Sequence, residues 1–395
     1  MSFERLSRRQ VISRGTWGIL ALNYGTRGSV PIARSADPEA AHLIVRQASP
    51  FNAEPPLSKL IEQWITPVNS FFVRSHGDVP ALDPKELTLT VDGLVDKPLS
   101  LKVADLIERF PVSATTATLT CAGNRRSEFS AIKKVGGVQW DAGAIGNAEW
   151  HGVRLADVLK LAGLKEGAKH VWFEGRDAIT EKNVTFPFGG SIPIEKALLT
   201  AATGATLLAT QMNGQLLSAA HGFPLRTVVP GYIGARSVKW LHKITVADRP
   251  SPNHFVADVY KLVPEENADL IAKSSPIYEY TLNSVICHPV PGTAVSGDRI
   301  TVKGFALTNG TTGRNVQRIE VSTDGGHSWT PAKVTSPLRD YCWVLWSADV
   351  PLADKADSLL VRATDTSGEV QPQNCPWNYK GYQFNGWHKI SVKRG

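Results

Sequence analysis

The apolar pattern of this 395-residue chain changes character near residue 275, and that change limits the folds open to it. Beyond that point Ile300, Val302 and Ala306 mark one face, with Gly304 between them. Ile319 and Val321 alternate ahead of Asp324-Gly-Gly326, a hairpin signal; Trp343 with Leu345, and Leu359, Val361 and Ala363 before Asp365, repeat the pattern. Short segments of period two separated by turns predict an all-β sandwich. Before residue 275 the periods are mixed. Leu87, Leu89 and Val91 read as a strand before Asp92-Gly93, and His170–Glu174 as another, with Arg176-Asp177 at its end. Helical spacing appears around Leu57–Trp64, over Val103–Phe110, over Leu155–Ala162 with Gly163 as C-cap, and over Ser191–Thr200. Thr206–Thr210 is a short apolar run ahead of Met212-Asn213-Gly214, a tight-turn signal. There is no regular βαβ series and no GxGxxG, so a Rossmann fold has little support. The expected class is α+β, with a mixed domain over 37–270 and a β domain over 271–395.

Residues 1–36 stand apart: they hold six Arg and one Glu. Ser7-Arg-Arg-Gln-Val-Ile12, followed by the apolar Trp17–Leu22, resembles a twin-arginine export signal, with Arg14 as an imperfection; the alternative is a surface-wrapping arm. The net charge of +7 is therefore largely a property of this tail, and nothing resembling a basic stripe with interleaved aromatics points to nucleic acid. No apolar run is long enough to cross a membrane. The four cysteines, at 121, 287, 342 and 375, form no CxxC pair, which argues against a zinc ribbon, a thioredoxin motif or c-type haem attachment.

Two stretches carry chemistry. Cys121-Ala-Gly-Asn-Arg-Arg126 sets one soft ligand beside a small turn and two guanidinium groups, a pattern for a soft metal next to an oxyanion, or else a buried structural cysteine before a turn. His221-Gly-Phe-Pro-Leu-Arg226 and Pro230-Gly-Tyr-Ile-Gly-Ala-Arg-Ser-Val-Lys239 offer an imidazole, two arginines, a serine, a lysine and glycine N–H groups, which suits a phosphate bearing an extended polar ligand. Arg74 and His76 form a smaller group. Polar groups scattered from Arg74 to Lys239 fit a large organic cofactor better than a triad, and neither a GxSxG elbow nor HExxH is present.

These stretches, with Gly137-Val-Gln-Trp140, Ala144-Ile-Gly-Asn-Ala148, Gly234–Leu241, Asp324–Trp329 and Trp377-Asn-Tyr-Lys-Gly381, resemble the sulfite oxidase family of molybdenum enzymes over about residues 50–392. The resemblance implies a molybdopterin-binding α+β domain followed by an immunoglobulin-like domain used for homodimerisation. It implies that Cys121 gives the protein's ligand to molybdenum, whose shell is completed by the pterin dithiolene and oxo ligands. His76, Asp177, His221, Arg226, Arg236, Ser237 and Lys239 would hold the pterin and its phosphate. Arg74, Arg126, Trp140 and Tyr260 would form the pocket for sulfite. Lys380 stands where family members commonly carry Arg; it keeps the charge but loses the planar fork. Nothing before residue 50 is long enough for a haem domain, so no haem is expected in this chain. The expected electron acceptor is an external c-type cytochrome, and the expected location the periplasm. The alternatives are direct oxidation by oxygen, protein methionine sulfoxide reduction, and a dimeric scaffold with a degenerate cofactor fold.

Overall fold

A computed structural model describes residues 42–352 and 356–394. The export-signal expectation lies outside the described residues. The N-terminal part is built on two sheets. Its strands, in chain order, are β1 (Ile44–Gln47), β2 (Asn52–Glu54), β3 (Thr88–Gly93), β4 (Leu99–Lys102), β5 (Val112–Thr120) and β6 (Ile145–Arg154). They continue with β7 (His170–Glu181), β8 (Val184–Pro193), β9 (Leu207–Met212), β10 (Gln215–Leu216), β11 (Arg226–Val228) and β12 (Leu241–Ala247). One sheet runs β10-β9-β6-β5 with β11 also on β9; the other runs β4-β3-β12-β7-β8, and β1 pairs only with β2. The β3–β12 pair is parallel, the rest antiparallel. The helix Leu155–Ala162 buries Leu155, Val158, Leu159 and Ala162 on one face and ends at Gly163, as its spacing predicts.

Three expectations needed correction. The helix at Leu57 ends at Leu60 rather than Trp64. Ser191 lies in β8, paired with Trp172, and only Ile194–Ala197 is helical beyond it. Asp177 is not at a strand end: β7 continues to Glu181, and an irregularity in its pairing between Glu174 and Ala178 accompanies an inward-facing Asp177. The strand β6 has no readable alternation because Gly146 and Gly152 interrupt it; a side chain at either would collide with Phe71 or with the backbone of Leu208.

The C-terminal part is β-rich, as expected. Its strands are β13 (Asn283–His288), β14 (Thr293–Val295), β15 (Arg299–Leu307), β16 (Val316–Ser322), β17 (Thr330–Pro331), β18 (Lys333–Val334), β19 (Val344–Pro351), β20 (Ser358–Asp365) and β21 (His388–Arg394). They form sheets ordered β13-β15-β19-β18 and β14-β21-β20-β16-β17. Val302, Ala306 and Val344 of one sheet share an apolar cluster with Ile319, Val361 and Ile390 of the other. A separate core spans both parts of the chain, since Phe305, Leu307, Trp343 and Leu345 belong to the same cluster as Ile145, Leu225 and Ile233.

Candidate active site

Cys121 follows directly on β5 and is 8% exposed. Its N–H is tied to Ala144 O at 2.9 Å, and the Gly123 N–H donates to its sulfur at 3.4 Å. The sheet therefore fixes the Cα, and the backbone donor fixes the direction of the sulfur. The thiol opens on a cavity lined by Arg74, His76, Asp177, His221, Arg226, Ser237, Lys239 and Tyr260 among others. Eight of the residues expected from sequence, with Cys121, thus converge on one space although more than 160 positions separate Arg74 from Lys239.

The cavity wall is short of negative charge. Arg226 is 5% exposed on β11 and donates only to carbonyls: His221 O at 2.9 Å, Ser237 O at 3.1 Å and Thr227 O at 3.3 Å. Burial alone lowers it from the ordinary guanidinium range to about 9. Burial, reinforced by Arg226, pushes Lys239 well below the usual ammonium range; its Nζ donates to Ser75 Oγ and Ala220 O, each at 2.8 Å. The carboxylate among the lining residues is Asp177, raised by burial to about 6, and its Oδ1 has no partner among the described residues. His221 is lowered to about 3 and His76 well below the usual imidazole range, in both cases by burial first and neighbouring cations second. Desolvated cations without counter-ions cost free energy unless an anion joins them. The donor set fits a phosphate-bearing cofactor with a soft-ligated metal.

Arg74 and His76 also line an open recess with Val45, Arg46, Gln47, Gly137, Val138, Gln139 and Glu181, so the inner cavity reaches solvent past these two side chains. Asn52, on β2, clamps this segment: its Oδ1 accepts from Ser75 N at 2.9 Å and from Arg74 Nη1 at 3.2 Å, while its Nδ2 donates to Ser75 O at 3.1 Å. His76 Nε2 and the Tyr260 hydroxyl share a hydrogen bond of 3.0 Å, and the imidazole stacks on Phe188 at 4.7 Å. Tyr260 caps a single π-turn, Phe255–Val259, and is raised by burial, partly offset by Arg74. π-turns recur at functional sites.

Arg126, Trp140, Arg236 and Lys380 are not on the cavity wall. Arg126 starts a short helix beside Cys121; its Nε donates to Lys380 O at 3.0 Å and its Nη1 to Val138 O at 2.8 Å. Trp140 is fully buried in the apolar cluster that holds Cys121, and its indole N–H has no partner among the described residues. Arg236 stands behind Tyr260, 5.7 Å from the ring centre, donating to Ile277 O at 2.9 Å. Lys380 meets the site through its backbone carbonyl, while its ammonium lies over Tyr379 at 4.9 Å. The Lys380 side chain, a substrate-pocket candidate from the family resemblance, is not among the lining residues of this cavity. Sequence reasoning missed Asn52 and Tyr382. Tyr382 follows the quoted Trp377–Gly381 block by one position, which was the available signal. Asn52 carried none.

A soft thiol ligand opening on a cavity rich in buried basic groups, within an α+β domain followed by a β-rich domain, suits a molybdopterin oxidoreductase, and the family matches show that class. Residues 76–255 match the oxidoreductase molybdopterin binding domain family, and residues 274–395 the Mo-co oxidoreductase dimerisation domain family. The chain is 42% identical over 365 residues to sulfite oxidase of Gallus gallus, covering 89% of this chain and 78% of that one. It is 38% identical over 382 residues to sulfite oxidase of Arabidopsis thaliana, covering 91% and 95%. Among solved structures, the sulfane dehydrogenase SoxCD of Paracoccus pantotrophus aligns with a TM-score of 0.74 at 26% identity, covering 98% of this chain and 97% of that one. The chain belongs to the sulfite oxidase family of molybdopterin oxidoreductases.

Proposed function

We propose that this protein oxidises sulfite to sulfate at a molybdenum–molybdopterin centre and passes the two electrons singly to an external c-type cytochrome. The observation that carries the reading is the cation-rich cavity opening at Cys121. Cys121 is assigned the metal, and Arg226, Lys239, His221, Ser237, His76 and Asp177 the pterin and its phosphate, with Arg236 setting Tyr260 from behind. When bound, the cofactor supplies oxo transfer and two-electron redox chemistry.

The protein's own part is binding and proton control. Sulfite is a pyramidal dianion. Arg74 at the mouth would hold its oxygens by charge-assisted hydrogen bonds and leave the sulfur lone pair free to react, while Arg126, off the cavity wall with Nε and Nη1 bound to carbonyls, would add positive charge from beside Cys121. Trp140 supports the pocket from the apolar cluster that holds Cys121. Tyr260, bonded to a His76 that burial keeps neutral, holds a proton at its hydroxyl and can exchange it with the imidazole. Lys380 contributes its carbonyl, which fixes Arg126.

The wider reading is a periplasmic, homodimeric dehydrogenase. It has a catalytic domain over 37–270, an immunoglobulin-like domain over 271–395 and a twin-arginine signal over 1–36. No helix among the described residues is long and apolar enough to cross a membrane. The test is molybdenum analysis together with sulfite-dependent reduction of cytochrome c under anaerobic conditions. Stoichiometric molybdenum and cytochrome reduction are expected. Rapid oxygen uptake without cytochrome reduction would replace the dehydrogenase by an oxidase, and protein isolated without molybdenum from a cofactor-making host would remove the enzyme reading.

A further inference from the structure

Arg126 sits in a niche made mostly of glycine. A Cβ on Gly137 would lie 3.0 Å from its Nη1, one on Gly381 would lie 2.9 Å from its Cγ, and one on Gly123 would overlap its guanidinium. The remaining wall is aromatic: the guanidinium carbon lies 5.2 Å from the centre of the Tyr382 ring. The same ring stacks on Tyr260, with centroids 5.1 Å apart and planes at 26°. Tyr382 is 6% exposed, and no hydrogen bond engages its hydroxyl among the described residues. Its contacts with Arg126 and Tyr260 are made by the ring.

The loop bearing that ring is closed on itself and on the cysteine turn. Asn378 accepts from Tyr382 N at 2.9 Å and donates to Tyr382 O at 2.9 Å, and its own carbonyl accepts from Gly381 N at 3.0 Å. The next residue, Gln383, donates from its backbone to Ala122 O at 2.6 Å. The loop comes from the dimerisation-domain match, while Cys121, Arg126 and Tyr260 come from the other part of the chain.

We propose that Tyr382 is a positioning residue, a rigid shared wall that sets the Arg126 guanidinium and the Tyr260 phenol in register for the anion. The claim rests on the sulfite reading for its kinetic arm alone. Cation–π and stacking contacts of this kind orient a guanidinium and a phenol against a rigid ring. Losing both while keeping the charges should weaken oxyanion binding more than the chemical step.

The test compares holoenzyme variants Tyr382→Phe and Tyr382→Leu by sulfite kinetics and by the rate at which phenylglyoxal modifies Arg126, followed by peptide mass spectrometry. Tyr382→Phe should keep KM within about twofold and leave Arg126 as protected as in the parent. Tyr382→Leu should raise KM about tenfold with a smaller fall in kcat, and Arg126 should be modified severalfold faster, at unchanged molybdenum content. If Tyr382→Leu does not fold, Tyr382→Met, an unbranched filler, carries the same expectations. Parent-like KM and parent-like Arg126 protection in the ring-less variant would overturn the proposal. So would a Phe variant as impaired as the Leu variant, because the hydroxyl would then be the acting group. A parent enzyme that turns over no sulfite would end the sulfite reading, while the modification rates still decide whether Tyr382 holds Arg126.

Discussion

Asp177 and Cys121 face the same cavity and are held there for opposite reasons. The Cys121 thiol has a backbone donor at 3.4 Å and a sheet end beneath it, so its sulfur is fixed in place at the cavity. Cys121→Ser puts a hard hydroxyl in place of a soft ligand, and sulfite turnover should fall by at least about a thousandfold while the fold is kept. Near-normal activity in a molybdenum-loaded Cys121→Ser protein would contradict the ligand assignment. Asp177, 4% exposed, is raised by burial to about 6, with Lys239 and backbone donors pulling the other way. A raised carboxyl binds its proton more tightly folded than unfolded. Its contribution to stability is thus fully present below the unfolded value near 3.8 and is lost as pH rises through about 6. A shift of about two units corresponds to roughly 3 kcal/mol. Cofactor-free parent protein should lose a share of stability on that order between about pH 4 and pH 7 that Asp177→Asn does not lose. Urea midpoints of the two proteins across that range measure it, and parallel pH profiles would show that Asp177 is not held protonated by burial.

Elements rather than residues decide why some of the site was legible and some was not. The Cys121–Arg126 turn and the 221–239 segment advertise themselves because charged residues, glycines and a rare cysteine are packed into short stretches, and their convergence on one cavity agrees with that reading. The hairpin at Asn213-Gly214 and the Leu155–Ala162 helix were legible for local reasons, a positive-φ pair and one apolar face. Asn52 was not legible, because its work is to satisfy backbone groups of a segment more than twenty residues away, a task that leaves no local pattern. Strand β6 was hidden by glycines whose purpose is to let Phe71 and β9 approach. Arg126 and Lys380 were read by their charges, yet what matters for both is the backbone around them. That backbone yields a prediction. Gly123→Ala places a methyl group inside the Arg126 guanidinium without demanding an unusual backbone angle. The side chain must leave its niche, so sulfite kcat/KM should fall at least about tenfold while the melting temperature shifts by only a few degrees. Unchanged kinetics at limiting sulfite would mean that Arg126 does not need the niche.

At the scale of the whole molecule, the two matched domains do not meet as independent bodies. Trp64 and Trp343 exchange indole hydrogen bonds across the junction, each donating to the other's carbonyl at 3.0 Å. Thr118, near the end of the strand that leads to Cys121, donates its N–H to Tyr341 O at 2.9 Å and accepts from Trp343 N at 2.8 Å. The centre of this junction is Arg125, fully buried and in the left-handed region at φ 66°. Its Nε and Nη2 grip Glu128 at 2.6 and 2.8 Å, and its Nη1 donates to Asn283 Oδ1 at 2.7 Å and Gly386 O at 2.9 Å. Burial raises the Glu128 carboxyl, but the charge and hydrogen bonds of Arg125 outweigh it and leave a net lowering. So of two adjacent arginines, Arg126 is held by the carbonyls of Lys380 and Val138, and Arg125 bolts the β-rich domain to the turn that carries the cysteine. Arg125→Met removes the bolt but keeps an unbranched stem of similar bulk. It strands the Glu128 carboxylate and three acceptors of the β-rich part, Asn283 Oδ1, Gly386 O and Trp387 O. Because Glu128 is about a third exposed, the cost should be about 2 kcal/mol rather than the full penalty of a buried pair. Since one apolar cluster spans both parts, parent and variant should each melt in a single calorimetric transition, with the variant lower by several degrees. Two resolved transitions in the parent would refute the shared core, and an unshifted melting temperature in Arg125→Met would show that the bolt carries no load.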